Sequence, residues 1–315
     1  MRTLFVHFPY NNDEVEGKEL PKYFALRGHE VHSIFFKDVR KFMTKYHQNG
    51  TMEQISEDSL FKSYDLIVCK SSSYQSYGKK YSDSNTFVVN VTPMGIPHNL
   101  SNVNYGFDVS QLIKPPVEDM REVLNEYVPW ESRKNQIVIA ASIGSDKNQL
   151  EFVKFFDPKV FPGYSIIFLG TIVSNSYVDQ LKNVLQGKNV NFEFDNVDRR
   201  TLAKIFMESK FSALTTDPRP GQPYDPSPRV VFESISAGTP CLLSDLVRVH
   251  DGSKKFSFFY EHQNIASFSE MMERVISSDL SKISRESYDY ACQEYSLENA
   301  CRKAYDDIMK AKNDI

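Results

Sequence analysis

The chain has 315 residues, 41% of them hydrophobic and 25% charged, which supports packed cores in one large or two ordinary domains and excludes a disordered or low-complexity protein. A formal net charge of -4 gives no general reason to expect a nucleic acid or a membrane surface as partner. Cys69, Cys241, Cys292 and Cys301 are scattered, with no C-x-x-C pair and no histidine at ligand spacing, which suits reduced thiols in a cytosol better than a disulfide framework or a zinc site.

In chain order, residues 3–8 form a short apolar strand run, followed by a polar loop over 9–17. Residues 18–27 carry a helical pattern through Leu20, Tyr23 and Phe24, and Gly28 stands where a helix C-terminal glycine belongs. Strands are expected at 31–36, 65–70 and 86–91, before Pro93, Gly95 and Pro97 break the pattern. After a proline-containing stretch the alternation resumes. Strands are expected at 136–141, 165–169, 190–194, 211–215 and 241–243, with helices at 149–156, 176–185, 200–208 and 228–237. Residues 270–315 read as helical throughout. Apolar, β-branched strands separated by helices argue for parallel sheets buried on both faces. The expected fold class is therefore α/β, with two Rossmann-like domains facing across a cleft and a C-terminal helical segment. The expected divisions are 1–104, 105–285 and 286–315, the last a helix that could return to the N-terminal domain.

Several chemistries lack their sequence signatures. The loop after the first strand holds only Gly17, so there is no G-x-G-x-x-G dinucleotide fingerprint, and no G-K pair precedes Ser or Thr. G-x-S-x-G and H-E-x-x-H are missing, as is any D-x-D pair for a divalent ion. No window has the apolar length of a membrane span and no signal peptide is read, so a cytoplasmic location without integral membrane contact is expected.

The informative stretch runs from Asp217 to Asp245. Ser227 reads as an N-cap, Pro228 as the first helical residue, and Gly238 as the residue past the helix end, with Pro240 just beyond. Arg229 and Glu233 fall four apart on the face left free by Val230, Val231, Phe232 and Ile235. A helix N-terminus offers free N–H groups and partial positive charge to phosphate oxygens, Arg229 can add a bidentate clamp, and Glu233 and Asp225 can accept hydroxyls. An isolated Arg/Glu pair of this kind is ordinarily a surface ion pair. Here the Pro/Gly/Asp loop and the position late in a second α/β domain favour a nucleotide-sugar site.

The segment Asp225-Pro226-Ser227-Pro228-Arg229-Val230-Val231-Phe232-Glu233-Ser234-Ile235-Ser236-Ala237-Gly238-Thr239-Pro240 resembles the signature of the GT-B family of retaining glycosyltransferases, which carries Glu, seven residues, Glu. Arg27–Val31, Asn104–Asp108, the strand, loop and helix from Ile137 to Phe152, and Leu169-Gly170 resemble further landmarks of that family in the same order. The resemblance implies a metal-independent transferase, with no cofactor and a UDP- or GDP-sugar as co-substrate. It implies that Glu233 holds the donor ribose and Asp225 the transferred sugar. Lys147, in a loop with Gly144 and Ser145, would neutralise the diphosphate from the start of a helix capped by Asp146. Three departures from the family pattern stand out. The arginine before the lysine is missing, so Arg229 is assigned its charge; the first glutamate is shortened to Asp225; and Pro228 removes one backbone donor.

The N-terminal domain is less legible. Asn11 and Asn12 are candidates for the donor phosphates and equally for a turn. Tyr74, Tyr77 and His98 are candidates for acceptor contact, although Tyr74, Tyr77 and Tyr81 also suit a packed helix face. Lys37, Arg40, Lys41 and Lys45 form a basic cluster read first as a solvated helix, and otherwise as a surface for an anionic acceptor. The acceptor classes left open are a glycan, lipid or small molecule, with a modified base in DNA as the alternative. Competing readings on the same scaffold are a sugar-nucleotide epimerase or hydrolase, and a non-catalytic nucleotide-sugar-binding module.

Overall fold

The computed structural model describes residues 1–6, 20–37, 40–69, 79–90, 105–106, 126–217, 225–226, 228–249, 251–295 and 297–313. Two compact units make up the chain, Met1–Pro116 with Leu297–Ile315, and Val117–Ser296.

The first unit contains β1 (Arg2–Val6), α1 (Leu20–Leu26), β2 (Glu30–Lys37), β3 (Arg40–Tyr46), β4 (Met52–Ile55), β5 (Leu66–Cys69), β6 (Phe87–Asn90) and β7 (Tyr105–Gly106). They form one sheet in the order β4-β3-β2-β1-β5-β6-β7. β1 is its centre, parallel to β2 and β5, and its apolar run serves both faces. Phe5 packs with Leu20, Tyr23 and Phe24 of α1 and with Cys301, Ala304 and Ile308 of the C-terminal helix. Leu4 and Val6 pack on the opposite face with Ile34, Met43, Tyr64 and Ile67. Gly28 (φ +84°) follows α1, and its N–H closes the helix on the Ala25 carbonyl at 3.0 Å. The conformation costs an L-residue strain that glycine avoids.

The basic cluster departs from the helix expected for it. Lys37 and residues 40–45 are strand and not helix: β2 and β3 pair antiparallel, with Lys37 opposite Arg40 and His32 opposite Lys45, and β4 continues the antiparallel edge. Lys37, Lys41 and Lys45 are four apart, a spacing that fits both one helix face and one strand face. The intervening Phe42, Met43, Thr44 and Tyr46 are strand formers, and burial of Met43 and Tyr46 on the sheet decides the matter.

The second unit contains β8 (Lys134–Ala140), α2 (Gln149–Phe155), β9 (Ser165–Leu169), α3 (Asn175–Gly187), β10 (Phe192–Asp195), α4 (Arg199–Glu208), β11 (Ser209–Leu214), β12 (Asp225–Pro226), α5 (Arg229–Ser236), β13 (Cys241–Ser244), β14 (Val247–Arg248), α6 (Asp251–Lys254), β15 (Ser257–Tyr260), α7 (Ile265–Ser277) and α8 (Leu280–Glu294). Its main sheet has the order β10-β9-β8-β11-β13-β15, and every pairing in it is parallel. Alternate residues of β8 face opposite layers. Ile137 and Ile139 join Phe152, Leu181 and Phe268, while Val138 and Ala140 join Ala203, Phe206 and Ala237. The expected all-helical tail is three helices, α7, α8 and α9 (Leu297–Asn313), and α9 belongs to the first unit. Its Tyr305 hydroxyl lies 3.1 Å from Nε2 of buried His29. β15, which the sequence pattern did not reveal, closes the sheet beside β13. No helix among the described residues is long and apolar enough to cross a membrane.

Candidate donor site

In the second sheet the chain runs from β8 outward to β10 and then returns to β11 on the other side of β8. The carboxyl ends of β8 and β11 therefore flank a topological switch point, the place where open α/β sheets hold ligands. Gly144, Ser145 and Lys147 lie in the loop leaving β8, and α5 follows β11 after the loop that contains Asp225.

The β8 loop is pinned on both sides. Ile143 bridges to Ile172, and the Val173 N–H donates to the Ile143 carbonyl at 2.9 Å. A side chain at Gly144 would press on Val173 and Asp146, at 3.3 and 3.2 Å from its Cβ, so glycine admits the neighbouring loop. Ser145–Lys147 form a single 3-10 turn, and Asn148 in left-handed conformation (φ 43°) is the N-cap of α2. This corrects the expected cap at Asp146: Lys147 lies one residue before the cap, because the tight turn ends in a left-handed residue that Asn tolerates. Thr215 Oγ1 donates to the Lys147 carbonyl at 2.7 Å, and Gln149 Nε2 reaches the Ser142 carbonyl at 2.8 Å. Lys147 is thus carried on a backbone tied to β11 and to its own strand end.

α5 starts one residue later than expected. Pro228 (φ -63°, ψ 129°) is the N-cap and Arg229 the first helical residue, so Ser227 is not the cap. Upstream, Asp225 and Pro226 pair in parallel with Val247 and Arg248. That pairing also places the Asp225 backbone beside the loop after β13. At the other end Gly238 adopts φ +71°, as the sequence implied. Buried Arg133 closes this end: its Nη2 donates to the Ala237 carbonyl at 2.9 Å and Nη1 to the Gly238 carbonyl at 2.9 Å. Burial draws the Arg133 guanidinium down to about 10, yet the positive charge sits where the helix dipole favours it.

Glu233, one turn into α5, is 5% exposed. Arg229 Nε lies 3.6 Å from its Oε1, and Arg199, on the first turn of α4, places Nη2 2.6 Å from the same oxygen. The Arg229–Glu233 pair was legible from i, i+4 spacing. Arg199, 34 residues away in sequence, was not, since only the packing of α4 on α5 brings it there.

A second group escaped sequence reading. Glu151 of α2, Asp217 after β11 and His262 after β15 bring ligand atoms within 4.8 Å of one another. Asn148 Nδ2 donates to Glu151 Oε2 at 2.8 Å and to Asp217 Oδ1 at 2.7 Å. His262 Nδ1 lies 3.0 Å from Glu151 and Nε2 3.4 Å from Asp217, and neither ring nitrogen makes a hydrogen bond. The donor set could hold a cation. The Asn148 amide also donates to both carboxylates, and the group then serves to tie the Lys147 turn to α2 and to the segments that follow β11 and β15. Burial and the Glu151 carboxylate push the Tyr260 hydroxyl beside it well above its usual value.

Asn11, Asn12, Tyr74, Tyr77, His98 and Ser227 lie outside the described residues. Tyr81 is buried against Tyr64 and bonds Glu57 at 2.9 Å, a packed residue rather than a groove wall.

No protein-family model and no curated protein matches the chain. Solved structures do resemble it. AviGT4, a glycosyltransferase involved in avilamycin A biosynthesis, has a TM-score of 0.63 at 12% identity, covering 100% of this chain and 98% of its own. A glycosyltransferase from Rickettsia africae ESF-5 has 0.59 at 12% identity, covering 98% of each chain. Anabaena Alr3699/HepE, solved with UDP-glucose, has 0.55 at 11% identity, covering 98% of this chain and 100% of its own. The likeness is one of fold: the expected α/β architecture of two Rossmann-like bodies with C-terminal helices is the architecture of these glycosyltransferase structures.

Proposed function

We propose that the chain is a glycosyltransferase that moves a sugar from a nucleotide-diphosphate sugar, UDP- or GDP-linked, to a glycan, lipid or small-molecule acceptor. The observation that carries this reading is Glu233, a buried carboxylate one turn into a helix that starts beside the β8/β11 switch point, with Arg229 at the helix start. A diphosphate suits the free N–H groups and partial positive charge of that helix end, and a buried carboxylate suits a ribose diol. The likeness of fold to a structure holding UDP-glucose supports the donor class.

Catalysis in this reading is stabilisation of the leaving diphosphate by Lys147, Arg229 and the α5 N-terminus, all held before reaction by packed backbone. Asp225 contacts the transferred sugar. Departure and attack occur on one face of that sugar, so the anomeric configuration is retained and no enzyme nucleophile is needed. No metal ion takes part. The test is Glu233→Ala, which should abolish transfer and weaken nucleotide-diphosphate binding while circular dichroism and melting show a folded protein. Normal turnover by that variant would place the donor elsewhere.

A further inference from the structure

Glu233 needs a charge partner, because an ionised carboxylate at 5% exposure without one costs several kcal/mol. Two arginines approach it, and both approach Oε1. Arg229 Nε is 3.6 Å away, beyond hydrogen-bond range, and contributes through charge alone. Arg199 Nη2, at 2.6 Å, makes a charge-assisted hydrogen bond. A carboxylate has roughly four acceptor positions over its two oxygens; Arg199 fills one at Oε1, and neither arginine contact is made by Oε2.

The base that carries Arg199 is rigid. Asp198 caps α4, accepting from the Thr201 N–H and Thr201 Oγ1, each at 2.9 Å. Ala203 and Phe206 of α4 pack with Ala237 at the end of α5, and Thr239 Oγ1 donates to the Phe206 carbonyl at 2.6 Å. The Arg199 side chain remains 31% exposed, so its contact with Glu233 borders on solvent. The contact is a single one, Nη2 to Oε1, so it restrains the carboxylate at that oxygen.

We propose that Arg199 is a positioning residue for nucleotide recognition, holding Glu233 by one oxygen so that the carboxylate is turned to accept the ribose 2′- and 3′-hydroxyls. This rests on the assignment of Glu233 to the donor ribose. Arg199 then sets the discrimination between ribose and deoxyribose nucleotides and takes no part in bond making. The competing role is a stitch between α4 and α5, which would alter melting without touching that discrimination.

The test is calorimetric titration of the full chain with UDP, GDP and the 2′-deoxy form of each. Wild-type protein should prefer the ribonucleotide of its own base by about tenfold or more, the worth of one hydrogen bond to a charged group. Arg199→Ala should weaken ribonucleotide binding by a similar factor and leave the deoxynucleotide nearly unchanged, so that the ratio falls towards one. Arg199→Lys, which keeps the charge but ends in an ammonium of different reach and shape, should fall between. An Arg199→Ala protein with the wild-type ratio overturns the proposal, even if its melting temperature drops. Should that variant fail to fold, Arg199→Lys decides by the same ratio. Wild-type protein that binds neither nucleotide, or binds both sugars equally, overturns the donor assignment itself; loss of the ratio in Glu233→Gln separates that outcome from failure at Arg199 alone.

Discussion

Lys147 and Arg229, the two cations assigned to the diphosphate in the proposed function, stand on different kinds of support. Lys147 rides on a 3-10 turn tied through Thr215 and through the Asn148–Glu151–Asp217 network, whereas Arg229 opens a helix. If both neutralise the leaving diphosphate, each alanine substitution should lower kcat by about two to three orders of magnitude. Steady-state rates on the accepted donor check this, and a full-rate Lys147→Ala enzyme would remove that residue from the reaction. Outside the site, His32 is buried with Nδ1 2.8 Å from the Tyr64 hydroxyl. Burial, and then the Lys45 charge, lower its pKa to about 4. A depressed histidine is neutral in the folded protein while the unfolded chain takes up a proton from about pH 6.5 downward. The His32 contribution is therefore fully present above that pH and is lost progressively as pH drops to about 4. Urea unfolding across that window should show the loss in wild type and a flatter profile in His32→Gln; buried His29, also lowered by burial, adds a slope of the same sign.

At the scale of elements, the proposed donor site depends on two close approaches of backbone. α5 can end where it does because Gly238 takes a left-handed conformation in which a Cβ would sit 2.9 Å from the Ser284 carbonyl, and because Arg133 fills the helix end. The β8 loop can lie against the β9 loop because Gly170 (φ +151°) leaves room for the Ala141 carbonyl, which a Cβ would meet at 2.2 Å. Gly170→Ala combines that clash with a backbone region closed to alanine and should destabilise the second unit by about 2–4 kcal/mol. It should also weaken nucleotide binding, since the displaced Ala141 leads straight into Gly144 and Lys147. Thermal unfolding with and without nucleotide diphosphate measures both effects; an unchanged melting temperature would show that the loop has room to spare.

For the whole molecule, we propose that the acceptor is bound chiefly through the N-terminal domain. The basic residues Lys37, Arg40, Lys41 and Lys45 lie on β2 and β3 of that unit's sheet. A DNA acceptor would bind with a steep salt dependence, and neutralising those four residues would lower the slope by roughly one unit for each phosphate they had paired with. The expected result is transfer to a glycan or small molecule with almost no salt slope, undiminished by EDTA. Assays on a glycan panel and on hydroxymethylated DNA at two salt concentrations, with and without chelator, cover these outcomes. Turnover abolished by EDTA and restored by manganese would overturn metal independence and direct attention to Glu151, Asp217 and His262.

Local patterns carried much of this protein without help from its tertiary structure. Apolar runs of strand length, Gly28 and Gly238 at helix ends, and the i, i+4 pair of Arg229 and Glu233 are relations between near neighbours, and a short stretch of chain contains all the information they need. Three kinds of feature required the fold. The lysine spacing of residues 37–45 satisfies two periodicities, so burial of Met43 and Tyr46 had to choose between helix and strand. The cap of α2 fell at Asn148 instead of Asp146 and α5 began at Arg229 instead of Pro228, where Thr215 ties the Lys147 turn and β12 pairs with β14 from distant segments. Arg199 beside Glu233, and His262 between Glu151 and Asp217, are products of parallel strand order. Residues scattered along the chain meet at one sheet edge, and nothing in the spacing of the sequence encodes which strand ends will be neighbours.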